Sequence, residues 1–286
     1  MGEVANLFAD GRAYERRMGR WTRLAGEAFL DWLDVPVGLK WLDVGCGNGA
    51  FTEALMARCA PTDVAAIDPS EGQLSYARAR AGAKMAQFRL GDAQSLPFAD
   101  CSFDAAAMAL VISYLPDPIM GAVEMARVVR PGGWVATYMW DIPGGGHPVE
   151  PIYLAVNSLG MKVSPPPGSA VSRLANMRGI WEEAGLQSIE TQVIRIPVVY
   201  SNFDDFWECN SAPAGPSGRM VHDLSSTAKE QLQRRLRELL PIGSGGRIAY
   251  EASANAVKGR VGSRTGSGYR LKTAANRHQS TVFEIG

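Results

Sequence analysis

Strand-like and helix-like segments alternate between Trp41 and Trp140, and this alternation constrains the fold more than any other feature of the chain. The strand-like runs are mostly apolar, which is typical of strands buried on both faces of a parallel sheet. Strands that alternate with helices predict a doubly wound α/β sheet. We place the first five strands at 41–45, 63–68, 85–92, 103–110 and 133–140.

Signals for helix ends lie between these strands. Ser70 and Gln73 have the spacing of a capping box, and Asp117 followed by Pro118 supplies an N-cap with a proline in the first helical turn. RPGG at 130–133 is expected to end the helix that begins after Asp117. The helices and strands are therefore predicted by independent local signals.

The remaining segments differ from this regular core. The amphipathic stretch 12–33 predicts a helical lid before the first strand, and the Gly- and Pro-rich stretch 142–187 predicts a helical insertion over the active site. Residues 262–286 are poor in large apolar side chains and predict a disordered tail, so we expect one domain at 1–261. The other expected elements are a helix at 170–184, a strand at 188–200, a helix opened by a capping box of Thr227 with Glu230, and a strand at 247–260.

Charge and cysteine content restrict the partners and the compartment. Lys plus Arg equal Asp plus Glu at 29 each, so no overall field attracts nucleic acid or an acidic membrane surface. Apolar runs are too short to span a bilayer, and the N-terminus has no basic-then-apolar signal segment. The four cysteines have no metal-type spacing, and we expect reduced thiols, no metal site and a cytoplasmic location.

LDVGCGNGAF, at 42–51, follows the first strand directly and places three glycines within five residues. Gly45 and Gly47 can adopt conformations closed to other residues, and they let a ligand touch the backbone. With Ala50 they also match the dinucleotide-binding fingerprint, and Asp68 follows about 20 residues on, where it would hold ribose hydroxyls. This loop alone is therefore also compatible with a nicotinamide cofactor. The alternative role of Asp68 is that of a negative charge at a helix N-terminus.

Asp92 ends the third predicted strand in GDAQSLPF. Its carboxylate suits an adenine amino group, with Ala93 and Leu96 beside the ring. The alternative is that Asp92 only caps its own loop.

Taken together, these motifs resemble the class I S-adenosylmethionine-dependent methyltransferases, in the group related to ubiquinone- and menaquinone-pathway and other small-molecule methyltransferases. The resemblance spans about residues 14–260. It is carried by WLDVGCGNG, Asp68 in AIDPS, GDAQSLPFADCSFD, LPDP at 115–118 and EMARVVRPGGW. It implies a Rossmann-like, doubly wound, seven-stranded sheet of order 3-2-1-4-5-7-6 with strand 7 antiparallel, helices on both faces, and S-adenosyl-L-methionine across the carboxyl ends of strands one to four.

The resemblance also implies which residues contact the cofactor. The glycine loop would back its methionine part, Asp68 would hold the ribose, and the segment YERRMGRW at 14–21 would close over its amino-acid end. Arg20 in that segment is equally explained as a solvated helix charge. The expected cofactor-binding residues are Asp43, Gly45, Cys46, Gly47, Asp68, Pro69, Gln73, Asp92, Ala93, Ala109, Leu110, Tyr14 and Arg20.

Methyl transfer from a sulfonium depends mainly on orientation and a dry site, so a general base is optional. Candidates for a base are Tyr114, Asp141 and His147, although GGG and Pro148 around His147 favour a solvated residue in a mobile surface loop. Relatives often carry histidines just before LPDP, where this chain has Ser113 and Tyr114. The sequence assigns no catalytic residue.

Aromatic side chains after the fifth strand have two explanations. They either roof an apolar acceptor pocket or pack in the core, and core packing is favoured. These residues are Tyr153, Trp181, Phe203, Phe206 and Trp207. The sequence thus predicts methyl transfer to a small-molecule acceptor, with an NAD-dependent oxidoreductase or a non-catalytic cofactor-binding module as alternatives.

Overall fold

One seven-stranded sheet organises the chain, of which this computed structural model describes residues 15–163, 165, 168–213 and 215–263. The strand order is β3-β2-β1-β4-β5-β7-β6, and β7 runs antiparallel to both of its neighbours while the other pairs are parallel. The predicted order is confirmed. The strands are β1 Lys40–Val44, β2 Asp63–Asp68, β3 Gln87–Leu90, β4 Phe103–Ala109, β5 Val129–Trp140, β6 Leu186–Tyr200 and β7 Ile248–Val261.

Nine α-helices lie in the described ranges. None of them is long and apolar enough to cross a membrane. The helices are α1 Arg20–Leu33, α2 Ala50–Cys59, α3 Glu71–Arg78, α4 Pro118–Val128, α5 Glu150–Ser158, α6 Leu174–Glu183, α7 Phe203–Ser211, α8 Gly215–Asp223 and α9 Ser226–Leu239.

Burial along the strands follows their place in the sheet. β1, β2 and β4 are buried along nearly their whole length, as expected for central parallel strands. β3 and β6 lie at the two edges of the sheet, where β3 is mostly exposed and the last half of β6 alternates between buried and exposed residues. The core therefore lies around the central strands β1, β2 and β4.

Two predicted helix starts are confirmed and a third is wrong. The Ser70 side chain accepts a hydrogen bond from the Gln73 amide, and Asp117 accepts one from the Met120 amide. In α9, however, the N-cap is Ser225, whose hydroxyl accepts from the Ala228 amide at 3.3 Å. Three consecutive Ser and Thr residues compete for this position, and the extended backbone of Ser225 is the one that precedes the helix.

Two other element boundaries differ from the prediction. RPGG at 130–133 does not separate α4 from β5, because α4 already ends at Val128 and β5 begins at Val129. The predicted helix at 170–184 consists of a short 3₁₀ turn, Ser169–Ser172, followed by α6, because Arg173 between them is extended. Of the predicted tail, residues 264–286 lie outside the described ranges.

Candidate functional site

A cavity of about 250 Å³ opens at the carboxyl ends of β1 to β5. This is the edge at which doubly wound sheets bind their ligands. The cavity brings together most of the predicted cofactor residues. Those that line it are Gly45, Cys46, Gly47, Asp68, Pro69, Gln73, Asp92, Ala93, Ala109 and Leu110.

The glycine loop at 45–49 presents bare backbone to this cavity. Gly45 and Gly47 both have positive φ, at 75° and 52°. A Cβ at Gly45 would lie 2.5 Å from Val111 Cγ2, so Gly45 allows close packing. A Cβ at Gly47 would come no nearer than 3.9 Å to Gln73 Oε1 and would occupy cavity space instead. Gly47 is therefore the position at which a ligand can approach the backbone most closely.

Backbone amides of this loop are used by the protein itself. Four of them donate hydrogen bonds of 2.8 to 2.9 Å to protein acceptors. The pairs are Gly45 N to the Ile67 carbonyl, Cys46 N to the Ile67 carbonyl, Gly47 N to Asp68 Oδ2 and Gly49 N to the Cys46 carbonyl. These amides are consequently not directed at an external anion.

Asp68 lies at the end of β2 and faces the cavity. Its two oxygens accept from the Gly47 and Ser70 amides at 2.9 Å each, and burial raises the pKa of the carboxyl. Each carboxylate oxygen can accept a further hydrogen bond, which suits a vicinal diol. Asp68 therefore holds the glycine loop in place and offers acceptors to a ligand.

Asp92 serves its own loop and the cavity together. Its Oδ1 accepts from the Gln94 amide at 2.9 Å, and the residue also lines the cavity beside Ala93. Leu96 is buried in the core and does not line the cavity. The two roles foreseen for Asp92 are thus compatible.

Asp43, another predicted cofactor residue, does not line the cavity. It is fully buried in β1, where its Oδ2 accepts from the Thr52 hydroxyl at 2.6 Å. Burial raises the pKa of this carboxyl to about 7, although the hydrogen bond from Thr52 opposes the shift. Asp43 therefore contacts α2 from within the core and supports the loop from behind.

Arg20 also lies away from the cavity. Its guanidinium lies over the rings of Trp21 and Tyr200, at 4.4 and 4.9 Å from their centroids, and is 3.4 Å from Asp205. The structure thus does not bring Arg20 to the predicted cofactor. Tyr14, the other residue expected from this segment, lies outside the described residues.

Arg17, which no sequence motif indicates, lines the cavity instead. Its side chain is 3% exposed and donates to the Ser217 hydroxyl at 2.6 Å, and burial lowers the pKa of the guanidinium. Arg17 faces the cavity because it lies in Glu15–Gly19, a π-helical turn before α1. This turn changes the helical phase, so an α-helical reading of the segment could not identify Arg17 as the inward-facing arginine.

The expectation that His147 is a solvated surface residue is wrong. Two hydrogen bonds tie its loop to β7, from the Asp141 amide to the Ser253 carbonyl at 3.0 Å and from the Ser253 amide to the Gly146 carbonyl at 2.9 Å. His147 lines the cavity, and burial, with a smaller contribution from Arg17, lowers its pKa to about 3. The imidazole is therefore neutral at physiological pH.

The other two candidate bases, Tyr114 and Asp141, differ in their position relative to the cavity. Tyr114 lines the cavity, whereas Asp141 does not and instead accepts a hydrogen bond from the Gly144 amide at 3.2 Å. Among the aromatic residues after β5, Tyr153 lines the cavity. Core packing accounts for the other four. Trp181, Phe203 and Phe206 are buried in the core, and Trp207 packs against it.

Leu110 adds a feature that the sequence does not reveal. It follows β4, lines the cavity and has a φ of 60°, which is rare for a residue with a side chain. Its amide donates to the Tyr138 carbonyl at 2.9 Å, which holds this conformation. Backbone strain of this kind is concentrated at functional sites.

Comparisons with known proteins agree with this geometry. The profile of the family described as "Methyltransferase domain" matches residues 42–137. The demethylmenaquinone methyltransferase of Paenarthrobacter aurescens is 36% identical over 160 residues, covering 53% of this chain and 58% of that protein. That of Staphylococcus aureus is 41% identical over 106 residues, covering 36% and 44%. The chain thus spans about half the length of these curated relatives.

Solved structures share the fold. The YcgJ protein of Bacillus subtilis has a TM-score of 0.55 at 19% identity, covering 84% of this chain and 98% of that one. Phosphoethanolamine N-methyltransferase 2 of Haemonchus contortus, in complex with S-adenosyl-L-methionine, has a TM-score of 0.53 at 19% identity, covering 88% and 56%. Residues 42–137 therefore match the methyltransferase-domain family in sequence, and part of the chain is similar to demethylmenaquinone methyltransferases.

Proposed function

We propose that the protein transfers a methyl group from S-adenosyl-L-methionine to a small-molecule acceptor. The observation that carries this proposal is the hydrogen bonding of the glycine loop. Its amides donate to Ile67, Asp68 and Cys46, while its open glycine, Gly47, borders a cavity with acids at two strand ends. Such a site suits a nucleoside with hydroxyl and amino groups and a cationic centre, without phosphates.

A nicotinamide dinucleotide fits this loop poorly. Its pyrophosphate needs free amides at the N-terminus of the following helix. Here Glu15 occupies that region, because its carboxylate accepts from Asn48 Nδ2 at 2.8 Å, beside the start of α2. This carboxylate is paired with Arg80, and four amides of the loop already donate to protein acceptors, so the oxidoreductase alternative is not favoured.

The residues of the cavity suggest how the reaction is supported. When bound, the cofactor supplies a methyl group on a positively charged sulfur. Asp68 and Asp92 would hold its ribose and adenine, and Gly47 would let its methionine part lie against the backbone. Phe51, Trp140 and other apolar side chains exclude water. Transfer of that methyl group to the acceptor atom would convert the cofactor to S-adenosylhomocysteine, which would keep the electron pair of the broken sulfur–carbon bond.

Calorimetric titration with S-adenosylhomocysteine and with NADH tests the cofactor assignment. We expect saturable one-to-one binding of S-adenosylhomocysteine and none of NADH. Binding of NADH alone would overturn the proposal. Turnover is then tested by homocysteine release with quinones, phenols, amines and fatty acids, and cofactor binding without turnover of any acceptor would favour the non-catalytic alternative.

We also propose a cytoplasmic location and a single-domain organisation. Four cysteines are free, and Cys46, Cys59 and Cys209 among them are buried, which suits the reducing conditions of a cytoplasm. A single catalytic domain at 1–261 with a lid at 12–33 is supported by the described part of this range, in which Arg17 of the lid segment and the strand ends line one cavity. Within the described residues, no group of three or more His, Cys, Asp or Glu side chains could hold a metal ion.

A further inference from the structure

One half of the cavity has a chemical character that differs from the half assigned to the cofactor. We define the acceptor half by six lining residues that belong neither to the glycine loop nor to the ends of β2 and β3. These are Arg17, Tyr114, Trp140, His147, Tyr153 and Ser217. The acids that line the cavity, Asp68 and Asp92, both belong to the other half.

Arg17 is embedded in the acceptor half. It donates to Ser217 at the start of α8, and its titratable neighbours are Tyr153 and Tyr114 of the same half, with Cys209 and Tyr200 behind it. A Cβ at Gly218 would overlap Arg17 Nη1, so α8 fits closely around the guanidinium. The surroundings of Arg17 are thus those of an acceptor pocket and not of the glycine loop.

His147 presents a donor to the same pocket. Its Nδ1 accepts from the Val149 amide at 3.1 Å, which assigns the proton of the neutral ring to Nε2. The ring lies 6.1 Å from the centroids of both Trp140 and Tyr153, so it stands between two aromatic walls of the cavity. His147 can therefore donate a hydrogen bond and is not placed to act as a base.

A fixed cation and a neutral donor between aromatic walls select for a particular kind of acceptor. We propose that Arg17, with His147, forms a subsite for an acidic oxygen, carboxylate or phenolate, of an aromatic acceptor. This specificity rests on the proposed methyl-transfer function. An acceptor bound as its anion needs no protein base to remove a proton. This fits a cavity that Asp141 does not line and in which His147 Nδ1 already accepts from the Val149 amide. A protonated amine would be repelled by Arg17.

Three probes with the same ring and different charge test the subsite. The protein is first saturated with S-adenosylhomocysteine and then titrated with benzoate, benzamide and benzylamine in a calorimeter. We expect benzoate to bind at least about tenfold more tightly than benzamide, and benzylamine most weakly, because a charged hydrogen bond is worth one to two factors of ten. A parallel titration with 4-nitrophenol, followed by its absorbance, distinguishes phenolate recognition from carboxylate recognition.

Arg17→Met removes the charge and keeps a similar volume, and Arg20→Met is the matched control three residues away, outside the cavity. We expect Arg17→Met to abolish the preference for the anionic probes and to leave S-adenosylhomocysteine affinity within about twofold, with Arg17→Lys intermediate and Arg20→Met unchanged. A loss of S-adenosylhomocysteine affinity with the probe preference retained would assign Arg17 to the cofactor carboxylate and overturn the subsite. If Arg17→Met does not fold, equal binding of the three probes to the wild-type protein overturns it. Failure of the wild-type protein to bind S-adenosylhomocysteine would instead reject the proposed function.

Discussion

Gly45 and Gly47 have similar backbone conformations but different surroundings. Alanine at Gly45 would collide with Val111, whereas alanine at Gly47 would project into the cavity. We expect Gly47→Ala to fold, with a stability loss of about 1–2 kcal/mol from its positive φ, and to bind S-adenosylhomocysteine at least about tenfold more weakly. Calorimetric titration together with thermal unfolding separates the two effects.

Gly38→Ala is the control for that experiment. Gly38 has a φ of 78° and nothing within 4 Å of a built Cβ, so alanine there has the same backbone cost in open space. We expect a similar loss of stability and unchanged ligand affinity. If Gly47→Ala bound S-adenosylhomocysteine as tightly as Gly38→Ala, the ligand would not lie against the glycine loop.

The turn Glu15–Gly19 is fastened to the glycine loop through one carboxylate. Glu15 accepts from Asn48 Nδ2 at 2.8 Å and forms an ion pair with Arg80, which itself donates to the Asn48 carbonyl at 2.7 Å. Arg17, two residues later, lines the cavity. We expect Glu15→Gln to weaken this attachment and to speed dissociation of S-adenosylhomocysteine by roughly threefold to tenfold, since a partly buried charged pair is worth on the order of 1 kcal/mol. Stopped-flow displacement measures the rate.

Glu27→Gln provides the comparison, because it removes a carboxylate from the exposed Arg23–Glu27 pair of α1 without touching the loop. Its dissociation rate should equal that of the wild-type protein. Equal rates in Glu15→Gln would mean that this turn does not control release of the ligand.

Elements that depend on local sequence were the most predictable. The caps at Ser70 and Asp117 and the glycine loop follow from residue spacing within a few positions, whereas the strand order was implied by the family resemblance. The position of His147 was not predictable, because its loop is held by hydrogen bonds to Ser253, more than one hundred residues later. Arg17 was missed for a related reason, since its partner Ser217 lies 200 residues away.

At the scale of the whole molecule, the buried Asp43 and the half-buried His147 have opposite effects on the pH dependence of stability. Between about pH 4 and 7, folded Asp43 keeps a proton that the unfolded chain releases, so its contribution to stability is present at low pH and lost as pH rises. His147 has a folded pKa of about 3, so between about pH 3 and 6.5 the unfolded chain binds a proton that the folded one does not. Its contribution is present above that window and lost as pH falls. From about pH 4 to 6.5 the two effects should largely cancel in the wild-type protein.

Single variants should therefore reveal opposite pH slopes. Asp43→Asn keeps an oxygen to accept from Thr52, and His147→Asn keeps an acceptor near the Val149 amide. Relative to wild type, Asp43→Asn should gain unfolding free energy as pH rises from 4 to 6.5, and His147→Asn should lose it, each by up to about 1.4 kcal/mol per pH unit. Urea unfolding at closely spaced pH values measures both differences in unfolding free energy. Other acids such as Asp68 contribute equally to wild type and variant, and so cancel, where they do not interact with the substituted group. Differences that do not vary with pH would show that Asp43 is ionised, and His147 titrates normally, in the folded protein.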